Sequence, residues 1–178
     1  MKLLLLALTA FFFSACKNDS GSNTDRDDII SVDLDDEGMN SAMEMARQTF
    51  SADFLAKIEK EEARNPDSIA QALAKVYFTN TGDLNGGEHM WVAKISPNQN
   101  GSYSGILQSR PGVVPSLKMG DEVNFQLERI SDWILVQDGV THGAFTVQYL
   151  RSRMTTKERE EHDSNYPFRF PAVSDTPE

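Results

Sequence analysis

The chain holds a single cysteine, Cys16, among 178 residues. No intramolecular disulfide is available, so stability must come from a hydrophobic core. Long apolar runs are also missing. The longest, from Leu3 to Phe13, falls well short of the roughly 20 residues that a membrane-spanning helix needs. Histidine is scarce, with only His89, His142 and His162, and there is no His-x-x-x-His, Cys-x-x-Cys or Gly-x-Ser-x-Gly. The usual sequence marks of a zinc site, a redox pair or a hydrolase elbow are therefore lacking. Positive charge is in deficit: 17 Lys and Arg stand against 27 Asp and Glu, a net charge of −10. That balance disfavours nucleic acid and anionic lipid headgroups as partners. Gly82-Asp-Leu-Asn-Gly86-Gly87 is glycine-rich, but Asp83 and Glu88 repel an anion and no lysine follows at phosphate-loop spacing. Nothing in the pattern implies a cofactor or a resident metal.

What is present begins at the N-terminus. Lys2, an apolar core from Leu3 to Phe13, and the small residues Ser14 and Ala15 precede Cys16. This is the layout of an export signal. Ser14-Ala15-Cys16 resembles a bacterial lipobox, which implies acylation of the Cys16 thiol, cleavage before it and a lipid anchor on the new N-terminus. The alternative is an ordinary cleaved secretory signal with a chance cysteine. One acyl chain holds a protein only marginally, whereas several anchor it stably without a spanning helix. The expected segments are a signal at 1–15, a lipidated cysteine with an acidic tether at 16–40, one domain at 41–170 and a disordered tail at 171–178. The tether reading rests on Asp19, Asp25, Asp27, Asp28, Asp33, Asp35, Asp36 and Glu37 against only Lys17 and Arg26, a composition that self-repels. Lys17 after the cysteine points to the outer membrane as the anchoring site.

Ser41-Ala-Met-Glu44 is a capping-box pattern, and Met43, Ala46, Phe50, Phe54 and Ile58 then make one apolar helical stripe. Ser51 is a point where the helix can divide into two, and Asn65-Pro66 ends it. From Gln71 the period changes to two. Ala72, Ala74, Val76 and Phe78 alternate with Leu73, Lys75, Tyr77 and Thr79. Further strands are predicted over His89–Ile95, Ser102–Leu107, Glu122–Glu128 and Trp133–Gln137, with Asp138-Gly139 as a hairpin turn. Thr146 is positioned to cap a turn through Leu150, and Thr155-Thr-Lys-Glu158 is a second capping box. Tyr166, Pro167, Phe168 and Phe170 are expected to fold back onto the sheet. The expected fold class is α+β: an N-terminal helix or helix pair on a small curved antiparallel sheet of five to six strands, a partial barrel, with short C-terminal helices.

Gly87-Glu88-His89-Met90-Trp91-Val92, Gly105-Ile-Leu, Lys118-Met-Gly120-Asp121-Glu-Val123, Asp132-Trp133 and Gly143-Ala-Phe145-Thr146 together resemble the YegJ-like domain of bacteria, over residues 42 to 168. The resemblance implies a compact α+β domain in exported or tethered proteins and supplies no catalytic residues. The spacing of Gly120-Asp121, Asp132-Trp133 and Gly143 is also similar to that of SH3-type barrels, which bears on sheet curvature alone.

Two functional classes follow. The first is a non-enzymatic binding module, held to the membrane through lipid on Cys16. Its partner is an unidentified protein, an exported toxin or a component of the envelope, and Trp91 and Trp133 are candidates for an aromatic binding face. The second is a metal-dependent or acid–base hydrolase in which His89, Asp132 and His142, with Glu88 or Ser131, converge between strands. The structural alternative is a hydrogen-bonded histidine at a turn, and an Asp132 that bonds local backbone.

Overall fold

The computed structural model describes residues 3–8, 28–33, 36–80 and 86–173. Cys16 lies outside them. Two short strands, β1 (Leu3–Leu8) and β2 (Asp28–Asp33), pair antiparallel from Leu3↔Asp33 to Leu8↔Asp28. Residues 16–40, expected as a structureless tether, thus contain a strand and the first turn of a helix. Ile29, Ile30 and Val32 supply the β-branched run that the surrounding aspartates mask in a composition-based reading.

Helix α1 (Glu37–Thr49) begins four residues ahead of the expected Ser41 box. Asp36 is its cap, its carboxylate accepting from Met39 N at 2.9 Å, and Glu37 adds a favourable charge in the first turn. Ser51 does not divide the helix. A π-helical segment, Phe50–Leu55, carries it without a break into α2 (Ala56–Arg64). The wider turn brings Phe50 and Phe54 into one stack, centroids 5.2 Å apart, with both side chains fully buried.

Six antiparallel strands follow: β3 (Ile69–Thr79), β4 (Gly87–Pro97), β5 (Tyr103–Leu107), β6 (Glu122–Phe125), β7 (Ile130–Gln137) and β8 (Val140–Gly143). Their order is β6-β5-β4-β3-β7-β8. The sheet is open, with β6 and β8 as its edges, and does not close into a barrel. Asp138 and Gly139 both take positive φ, 50° and 74°, as the tight β7–β8 hairpin requires.

Side-chain parity gives the sheet two different faces. Ala74, Val76, Met90, Val92, Leu107, Val123, Phe125, Trp133 and Leu135 pack with Ala46, Phe50 and Phe54 of the helical layer. Leu73, Trp91, Ile134 and Val136 lie on the other face and pack with Ala144 and Val147. Phe168 and Phe170 of the tail close onto this second cluster, as expected. Arg169 fixes the tail in register, donating N–H to Gly139 and accepting from Thr141 N, both at 2.9 Å. Helices α3 (Phe145–Ser152) and α4 (Thr156–Ser164) complete the domain, and α4 has the Thr155–Glu158 capping box read from sequence. Arg151, 3% exposed, ties α3 to α4 through Asp163 and to the tail through the Pro171 carbonyl.

Phe54 also packs on Trp133 at 5.3 Å between centroids. Its truncation to alanine opens a cavity against two aromatic rings that cannot collapse into it. Phe54→Ala is expected to lower unfolding free energy by about 3–5 kcal/mol with an unchanged urea m-value. Equilibrium urea denaturation checks this, and a loss below about 1 kcal/mol contradicts the packing role.

Candidate functional site: a buried polar cluster on one sheet face

The polar residues of the central strands gather at an irregularity in β7. Lys75 pairs with Asp132 and Val76 with Ile130, so Ser131 is an extra residue, a β-bulge. The bulge lets consecutive residues serve the same region. Ser131 Oγ lies 2.8 Å from His89 Nδ1, and it donates to the Lys75 carbonyl at 3.2 Å. Ser131 spends its proton on that carbonyl, so His89 Nδ1 carries the hydrogen and His89 Nε2 presents a lone pair.

Asp132, fully buried, accepts from four donors: Trp133 N at 2.8 Å, Phe145 N and Thr146 N at 2.9 Å each, and the Thr146 hydroxyl. It therefore caps α3. Thr146, expected as the cap, instead lies inside the helix and donates. Burial pushes the Asp132 carboxyl upward in pKa, while Thr146, Lys75 and the backbone donors pull it down. Ala144 bridges β8 and α3 in the left-handed region, φ 53°, and Gly143 before it has φ 71°. A Cβ on Gly143 meets the Trp133 ring at 2.4 Å, so only glycine fits there.

Lys75 is fully buried with its ammonium 5.3 Å from the centroid of the Trp91 ring. Burial lowers its pKa to about 8, and Asp132 opposes that shift. His89, 5% exposed, is held neutral: burial and then Lys75 lower its pKa to about 3. Tyr77 stacks on His89 at 4.8 Å, and the Arg129 guanidinium lies 5.9 Å over Tyr77. Glu88 takes no part. Its carboxylate accepts from Gly112 N, Val113 N and Val114 N at 2.9–3.0 Å and organises the irregular 110–118 stretch.

His142 is elsewhere. It pairs in register with Leu135, on the helical face, and lines a cleft of about 590 Å³ with Lys57, Lys60, Glu61, Trp133 and Phe145. Its Nε2 lies 3.1 Å from Lys57 Nζ, and burial and then Lys57 lower its pKa. His89 and Asp132 thus share one neighbourhood while His142 stands across the sheet, and the three do not form one site. Among the described residues no group of three His, Cys, Asp or Glu is placed to hold a metal. Trp91 and Trp133 are also divided by the sheet. Trp91 joins the Leu73–Val147 cluster, and Trp133 packs on Phe54 and Phe145 and donates to Thr49 Oγ1 at 3.0 Å. Both are core residues, 5% and 3% exposed, and they present no common surface.

Residues 36–170 match the model of a family described as "Uncharacterized protein conserved in bacteria (DUF2314)". The chain belongs to that family. It is 36% identical over 143 residues to a putative ankyrin repeat protein of Neisseria meningitidis serogroup B, covering 80% of this chain and 56% of that protein. This chain therefore spans little more than half the length of that relative. It is 28% identical over 163 residues to the uncharacterised protein YegJ of Escherichia coli, covering 92% of this chain and 95% of that one. No solved structure matches the chain.

Sequence reasoning missed Lys75 and Arg129. Lys75 alternates with the buried Ala74 and Val76 and reads as solvent-facing on a half-wet sheet. The available signal was its place between Leu73 and Tyr77 on the same face. The lowered pKa has a measurable consequence. Between about pH 8 and the ordinary value of 10.5 the unfolded chain keeps a proton that the folded one has lost. Stability from this group therefore rises with pH across that window, and its penalty is complete below about pH 8. Comparison of wild type with Lys75→Met across pH 7–10.5 is expected to show this rise, about 3 kcal/mol in total, in the wild type only. Parallel pH profiles contradict it.

Proposed function

We propose that this protein is a lipid-anchored module at the bacterial cell envelope that works by binding rather than by catalysis. The observation that carries this reading is Cys16, placed directly after Leu3–Ala15 and followed by a strongly acidic stretch. Removal of the signal and acylation of the thiol leave a folded domain close to a membrane, with an outer-membrane location favoured by Lys17. No described helix is long and apolar enough to cross a membrane, so lipid is the means of attachment in this account.

Two further observations support binding. The polar groups with catalytic potential are divided between the two sheet faces, and those of Asp132 and Glu88 are committed to backbone donors. A relative carries ankyrin repeats in its name, an architecture whose stacked units form extended binding surfaces. A domain that accompanies such repeats suits a role in protein recognition, and the partner here is an envelope or exported protein.

Cys16→Ala is expected to leave the domain folded while abolishing labelled-palmitate incorporation and moving the protein out of the membrane pellet. Cell fractionation and metabolic labelling check this. A variant that still pellets with membranes as the wild type does contradicts the anchor.

A further inference from the structure

Three buried nitrogens around one face of the sheet have no hydrogen-bond partner: Lys75 Nζ, His89 Nε2 and Arg129 Nη1. A fourth, His162 Nε2, sits apart among the C-terminal rings of Tyr166 and Phe170. The first three belong together. Lys75 and Trp91 are register partners, as are Tyr77 and His89, and Arg129 covers Tyr77. Buried polar atoms are paired in nearly all native structures, so three orphans in one place mark a site that something else completes.

Their valences define what fits. Lys75 and Arg129 offer donors and positive charge, and His89 Nε2, by the tautomer derived above, offers only a lone pair. Asp132 is the acidic group beside them, and its four donors already occupy its oxygens. Two cations against one anion leave room for a single negative charge. The complement is a compact oxyanion that also bears a proton. We propose that Lys75, Arg129 and His89 form a binding site for a protonated phosphoryl group. Its bare oxygens accept from Lys75 and Arg129, and its P–OH donates to His89 Nε2. Sulfate, which supplies acceptors alone at neutral pH, leaves His89 unpaired.

Access follows from the position of β1. Strand β4 has β3 on one edge, β5 and the 108–114 stretch on the other, and the helical layer on one face. Because β1 lies against β4, it meets the remaining face, that of His89 and Trp91. Cleavage before Cys16 removes β1 and opens this face. To that extent the site rests on the processing proposed above.

The test uses processed protein extracted in detergent, the uncleaved Cys16→Ala chain, and calorimetric titration with inorganic phosphate, glycerol phosphate and sulfate. Mass spectrometry first establishes whether β1 has been removed. The expected result is that processed protein binds a phosphate, sulfate binds at least about tenfold more weakly, and the uncleaved chain does not bind. Lys75→Met or the half-exposed Arg129→Gln, confirmed as folded by circular dichroism, is expected to weaken phosphate binding by about tenfold or more, the effect of one charge-assisted hydrogen bond. Binding of either phosphate supports the site, and the tighter of the two identifies a free ion or a phosphorylated molecule as its source. Processed protein that binds neither phosphate, or binds sulfate equally well, overturns the site alone and assigns the three nitrogens to buried water. An uncleaved native protein overturns the processing and the site together.

Discussion

The Asp132 carboxylate is the constraint on which the arrangement of the domain depends. A buried anion is costly unless every lone pair is used, and four donors from Trp133, Phe145 and Thr146 use them. Satisfying the charge requires the chain to leave β8 sharply, through two residues with positive φ, so that the first amides of α3 arrive at β7. Lys75 on the neighbouring strand supplies the opposing charge. The bulge at Ser131 makes this possible, because it places a histidine-binding hydroxyl and a helix-capping carboxylate on successive residues. Removing the anion therefore affects the strand, the helix and the polar cluster together.

Much of this fold was legible in the sequence, and the reasons differ by element. Val123 and Phe125 alternate with charged or amide neighbours because β6 is an edge strand with one wet face, so its period survives intact. The Asp138-Gly139 turn was readable because its backbone demands residues that tolerate positive φ. The start of α1 was not, since Asp36 and Ser41 are both good caps and only tertiary contacts decide between them. Tyr149 bonds Asp36 at 2.7 Å and settles the choice from 113 residues away. The candidate site was legible only in part. His89 and Asp132 were recognisable by residue type, but which face each occupies depends on a bulge that no local pattern announces. Lys75 was hidden because a lysine on an alternating strand ordinarily faces water, and only its covering layers bury it.

The division of the sheet into two faces also frames the functional reading. The helical face is a packed aromatic core around Phe50, Phe54 and Trp133, with no polar group left over for chemistry. The other face combines Trp91 and Tyr77 with cations and a neutral histidine, and β1 lies along it. An N-terminal strand that doubles as a removable export signal makes the state of this face depend on processing. Membrane attachment and ligand access are then two outcomes of one cleavage, and that accounts for a domain rich in buried polar groups that has no open active site.

Amide hydrogen exchange on Asp132→Asn tests the central role of this carboxylate most directly, because the substitution keeps the shape while removing the charge and an acceptor. The account predicts that Phe145, Thr146 and the following amides of α3 lose protection by about tenfold or more relative to Ala74 and Val76 in β3. Protection in α3 that stays at the wild-type level relative to β3 contradicts it.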